Sequence, residues 1–128
     1  MSETARTFIA VPLADALRDA LAAATAELRL EAWAEGVSWV KAGNFHLTLR
    51  FLGETPVDAI PRLAAKVGEA VSALEPFTAK VTEIDVFPSH RRPRAVAAQV
   101  EGGPPLQALA EAVEDGVVAA GLRPAGLS

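Results

Sequence analysis

Between Asn44 and Glu54 the chain reads Asn-Phe-His-Leu-Thr-Leu-Arg-Phe-Leu-Gly-Glu, so that Phe45, Leu47, Leu49 and Phe51 alternate with His46, Thr48 and Arg50. A period of two belongs to a β-strand, because successive side chains leave a strand on opposite faces. The apolar side is expected to press on a core. The other side lines up an imidazole, a hydroxyl and a guanidinium about 6 to 7 Å apart, two strand steps between neighbours. Such a row suits a phosphate: a neutral imidazole moves a proton near pH 7, a threonine hydroxyl donates to a phosphoryl oxygen, and an arginine balances the charge. An amphipathic strand with one wet face is the plain alternative, and a bare His-x-Thr triplet does not exclude it.

Upstream of this strand, Thr7 to Val11 reads as a first strand ended by Pro12. Leu13, Leu17, Leu21, Ala24 and Leu28 then recur at helical spacing, which predicts a helix from Leu13 to Ala32, closed by Gly36. Val37 to Val40 reads as a short extended piece, Gly43-Asn44 as a turn, and Trp39 as a core or rim packing residue. Downstream, Thr55 is a candidate helix cap with Pro56 in the first turn, and Ile60, Leu63, Ala64, Val67, Val71 and Leu74 form a buried stripe. Phe77 to Phe87 alternates with a change of phase near Thr82-Glu83, the mark of a bulge, and Arg94 to Val100 returns as its hairpin partner. Gly102-Gly103-Pro104-Pro105 breaks the chain before a third helix on Leu106, Leu109, Ala110, Val113 and Val117, which stops near Gly121. The order is β-α-β-α-β-β-α, an α+β sandwich of sheet and helix.

The 128 residues fit one domain, and 51% hydrophobic content supports a core. A net charge of −4 argues against a broad basic surface that coats nucleic acid, while leaving room for a small phosphate site. Without cysteine there is no disulfide, thiolate metal site or thiol nucleophile, and Asp15, Asp19, Asp58 and Asp85 lack metal-ligand spacing. The start lacks the pattern of a signal peptide, and no apolar run approaches the roughly 20 residues of a membrane span, so no membrane association is expected and the cytoplasm is the expected location.

Taken together with Trp39-Val40, the run Asn44-Phe45-His46-Leu47-Thr48-Leu49-Arg50-Phe51-Leu52-Gly53-Glu54 resembles the first His-x-Thr-x motif of the two-histidine phosphoesterases. The closest likeness is to the bacterial and archaeal RNA 2′,3′-cyclic phosphodiesterases, also called 2′-5′ RNA ligases. It extends to the opening Arg6 to Val11, the long first helix, and Phe87-Pro88 with Arg92-Pro93-Arg94, similar to that family's Phe-Pro hairpin and Arg-Pro-Arg return. The resemblance implies a two-lobed α+β fold in which antiparallel sheets face each other across a groove with helices packed outside. It implies cofactor-free and metal-free hydrolysis of 2′,3′-cyclic phosphate ends of RNA or of cyclic nucleotides, with 2′-5′ RNA ligation as a second activity. By position His46 would be the general acid and Thr48 a phosphate ligand.

Arg50 either contacts the phosphate or pairs with Glu54 or another carboxylate. Arg92 and Arg94 belong to a basic cluster with Arg91 that reads as solvated loop charge, with RNA contact as the second reading. Glu111, Glu114 and Asp115 read as the wet face of the third helix. The family's second His-x-Thr-x strand follows the third helix. The other histidine here, His90, has no threonine two places on and reads as an exposed loop residue, with phosphate contact second. The expectation is therefore a single phosphoesterase-like domain over 1–128, C-terminally incomplete, with activity reduced by about 10² to 10⁴ for want of one proton-transfer partner. Uncovered sheet edges would then favour self-association. A non-catalytic RNA or nucleotide phosphate-binding domain is the alternative from another class, and a purely structural module the third.

Overall fold

The computed structural model describes residues 3–89 and 91–123. The expected order of elements is observed: β1 (Thr4–Pro12), α1 (Asp15–Leu28), β2 (His46–Pro56), α2 (Ile60–Ser72), β3 (Lys80–Phe87), β4 (Ala95–Glu101) and α3 (Gly103–Ala119), with short 3₁₀ turns at Ala32–Gly36, Ala42–Asn44 and Val57–Ala59. Strands β1 and β2 form one two-stranded sheet and β3 and β4 another. The described residues divide into two compact units, one from 3–10, 48–79 and 102–123, the other from 11–47, 80–89 and 91–101.

In the first unit the apolar stripes of α2 and α3 meet. Leu63, Val113, Val117 and Ala120 are buried together, and Ile9, Leu49, Leu52, Val67, Val71, Leu109 and Leu122 pack against them. The approach of the two helices is set by Gly116, where an added Cβ would lie 2.7 Å from the Val67 Cα and 3.0 Å from the Lys66 carbonyl oxygen. Across the first sheet, Val57 donates its N–H to the Glu3 carbonyl, Thr4 donates to Glu54 (2.8 Å), and the Phe8 and Phe51 rings stand 6.1 Å apart. Positions fall along β2 as they rise along β1, so the strands are antiparallel.

Two expectations for this unit change. Thr55 is not a helix cap: it lies inside β2, fully buried, sharing a 2.7 Å hydrogen bond with the Thr7 hydroxyl and donating to the Gly53 carbonyl at 3.2 Å. Helix α2 starts five residues later, at Ile60, with Pro61 in its first turn, where the missing N–H costs nothing. The alternation of β2 also breaks. Leu49 and Leu52, an odd three positions apart, both pack on the core, while Phe51 between them is 72% exposed. Gly53 follows at φ +70°, a left-handed conformation that suits glycine.

In the second unit β3 and β4 pair antiparallel from Lys80↔Glu101 to Phe87↔Ala95, with a shift of register between Val81 and Glu83, where the change of phase in the sequence predicts a bulge. Helix α1 ends at Leu28, short of Ala32, and Leu30 is exposed; the stripe has run out, and the chain turns so that Ala34 and Val37 become buried. Val37 to Val40 is extended without forming a strand, held by one bond from the Ser38 N–H to the Arg94 carbonyl (3.1 Å). Gly36 sits where a Cβ would come within 2.9 Å of the Pro93 carbonyl oxygen, so the return of the hairpin requires glycine there.

Candidate functional site

His46 opens β2 and is exposed. It is delivered by the Ala42–Asn44 turn, closed by bonds from the Asn44 N–H to the Lys41 carbonyl (2.8 Å) and from the Phe45 N–H to the Ala42 carbonyl (3.1 Å). The His46 Nδ1 lies 2.6 Å from the Asn44 carbonyl oxygen. A carbonyl can only accept, so Nδ1 carries a hydrogen. In the neutral ring Nε2 is then the basic nitrogen, and in the imidazolium the Nε2–H is an acid whose partner nitrogen stays hydrogen-bonded. Local backbone thus fixes both the tautomer and the direction of the ring.

Thr48, two positions further along the same strand, is half-buried, and its hydroxyl can serve as donor or acceptor. Arg50 continues the spacing but is engaged elsewhere. Its Nε donates to both carboxylate oxygens of Glu114 on α3, at 3.1 and 3.0 Å, and its terminal nitrogens donate to the carbonyls of Phe51 and of Arg123, the latter at 2.6 Å. The two side chains are 17% and 28% exposed. Of the two readings for Arg50 the geometry supports the carboxylate pair. The partner is Glu114, since Glu54 is occupied in accepting from Thr4. Glu114 consequently leaves the wet face of α3 to which its helical position assigned it. A pair 64 residues apart leaves no local pattern in sequence.

Arg92 and Arg94 are exposed at the hairpin end. Their backbones are used, the Arg92 N–H reaching the Ser89 hydroxyl at 3.3 Å and the Arg94 N–H the Phe87 carbonyl at 2.8 Å. His90 lies outside the described residues. Trp39 takes a rim position, half-buried, donating its indole N–H to the Ala34 carbonyl at 3.3 Å. Among the described residues no group of three or more His, Cys, Asp or Glu is placed to hold a metal ion, and no helix is long and apolar enough to cross a membrane.

Comparison with known proteins adds an independent line. The family model described as LigT like Phosphoesterase matches residues 11–97, a span that contains His46, Thr48, Arg50, Arg92 and Arg94. A protein of Bacillus subtilis named RNA 2′,3′-cyclic phosphodiesterase is 33% identical over 85 residues, covering 66% of this chain and 46% of the relative. One of the same name from Archaeoglobus fulgidus is 31% identical over 121 residues, covering 92% of this chain and 64% of the relative. Among solved structures, TT0787 of Thermus thermophilus superposes with a TM-score of 0.74 at 34% identity, over 90% of this chain and 61% of that one. The chain thus spans between about half and two thirds of the length of these relatives. A match over most of the chain, a shared fold and an exposed, tautomer-fixed histidine at the start of the matching strand agree: the chain belongs to the LigT-like phosphoesterase family.

Proposed function

We propose that this chain supplies the His46 strand of a metal-independent RNA 2′,3′-cyclic phosphodiesterase that works in the cytoplasm. The observation that carries the reading is the bond from His46 Nδ1–H to the Asn44 carbonyl, which directs the acid–base chemistry to Nε2. The names of the 31 to 33% identical relatives support the substrate class. In this reading Thr48 donates its hydroxyl hydrogen to a non-bridging phosphate oxygen. Water attacks phosphorus after giving its proton to a second proton-transfer group, the bond from phosphorus to the 3′ oxygen breaks, and imidazolium His46 delivers its Nε2 proton to that oxygen. The product is a 2′-phosphate. A 5′-hydroxyl attacking in place of water would leave a 2′-5′ linkage by the same displacement, so ligation belongs to the same proposal as a second activity.

The test is hydrolysis of a 2′,3′-cyclic nucleotide in the presence of a metal chelator. Turnover is expected to fall by about 10² to 10⁴ in His46→Ala. In Thr48→Val, product binding should weaken while the fold persists. Turnover that survives His46→Ala would refute the assignment. Phosphate binding that depends on Thr48 with no turnover at all would instead identify a non-catalytic binder.

A further inference from the structure

The end of α1 places Arg29 at its C-terminal cap, and there its guanidinium lies over the ring of Trp39, 5.1 Å from the centroid. A guanidinium over an indole ring is held there by the ring's π-face, and its N–H groups remain able to donate to two phosphate oxygens. Trp39 is itself anchored. Its indole N–H is held by the Ala34 carbonyl, and the preceding Ser38 N–H is bonded to the carbonyl of Arg94. The same short segment therefore joins Arg29 to Arg94, and two residues on, Lys41 accepts the bond that closes the turn leading to His46. All of these residues belong to one compact unit.

Their charges are uncommitted. Among the described residues Arg18 pairs with Asp15, Arg50 with Glu114 and Lys66 with Glu69. Arg29, Lys41, Arg92 and Arg94 are exposed and pair with no carboxylate there, although the chain carries 16 acidic residues against 12 basic ones. Arg29 lies against an aromatic ring even so.

We propose that Arg29, held over the ring of Trp39, and Arg94 clamp the phosphodiester backbone of single-stranded RNA on the 5′ side of the terminal phosphate. Lys41 and Arg92 extend the same track. The proposal rests on the phosphodiesterase reading and deepens it: the clamp makes an oligonucleotide end, rather than a cyclic mononucleotide, the preferred substrate. A mononucleotide has no phosphodiester upstream of its terminal phosphate to offer Arg29, so the two ligand lengths separate the clamp from the His46 site.

The experiment measures binding of a 5′-fluorescein hexauridylate ending in a 3′-phosphate, and of uridine 3′-monophosphate, to the full chain as a function of salt. Neither ligand can be turned over. Arg29→Gln with Arg94→Gln is expected to lower the slope of log affinity against log salt for the hexamer by about 1.4, or about 0.7 for each phosphate no longer neutralised. Mononucleotide affinity should not change. Arg29→Lys, which keeps the charge, should restore its share of the slope, and Arg62→Gln on α2 should leave the slope alone. An unchanged slope in the double variant, with the mononucleotide still bound, overturns the clamp and spares the phosphodiesterase reading. Failure of the wild-type chain to bind either ligand overturns both.

Discussion

Gly116 offers a test of the helix packing in which two physical effects oppose each other. In the interior of α3, replacing glycine with alanine should stabilise the helix by about 1 kcal/mol, because alanine loses less backbone freedom on folding. At Gly116, however, the new methyl would stand 2.7 Å from the Val67 Cα and 3.0 Å from the Lys66 carbonyl oxygen and the Val67 nitrogen. All three are backbone atoms of α2, so no side chain can swing aside; one helix must retreat by roughly 1 Å to reach ordinary contact. That movement would loosen Leu63, Val113 and Val117 together, and overpacking of this kind costs about 1 to 3 kcal/mol. The overlap should cancel or exceed the gain, leaving Gly116→Ala between neutral and about 2 kcal/mol destabilised, a fall in Tm of up to about 8 °C. Gly68 is the internal control. It lies within α2, is exposed, and an added methyl there would meet nothing within 4 Å, so Gly68→Ala should stabilise by about 0.5 to 1 kcal/mol. Urea unfolding of the two variants beside the parent decides it. If Gly116→Ala shifts the midpoint upward as Gly68→Ala does, the close approach of α2 and α3 is wrong.

Two further perturbations follow from the same unit. Thr55→Val keeps the shape of a fully buried side chain but removes its bonds to Thr7 and Gly53, and should cost about 1 to 3 kcal/mol in urea unfolding, whereas an exposed capping threonine would tolerate valine far better. For Arg50 and Glu114, a double-mutant cycle with Arg50→Ala and Glu114→Ala should return a coupling of about 1 to 3 kcal/mol, because the pair is mostly buried and doubly hydrogen-bonded; a coupling near zero would free Arg50 to act as a phosphate ligand.

Strands and helices were legible wherever a period ran without interruption. The stripe of α2 and the bulge at Val81–Glu83 could be read directly, the latter because a bulge shifts the alternation by one residue and leaves a trace in sequence. Thr55 misled because threonine before proline is the signature of a helix start, and the competing claim came from Thr7, 48 residues away. Phe51 fits the alternation on paper, yet Gly53 turns the strand just beyond it and Leu52 takes the core position. That His46 and Thr48 share one strand could be read from their spacing. The Glu114 partner of Arg50 and the contact of Arg29 with the Trp39 ring could not, since each depends on an approach that no local pattern records.

The division of the core between early and late segments bears on the order in which the chain can fold during synthesis. Leu63 leaves the ribosome 54 residues before Val117, the side chain that seals it. At about 5 to 20 residues per second, that interval lasts roughly 3 to 11 s. Throughout it the apolar stripe of α2 and the inner positions of β1 and β2 have no third helix to cover them, so the nascent chain spends seconds as a sticky intermediate. The hairpin of β3 and β4, whose pairing is local, can close within that window.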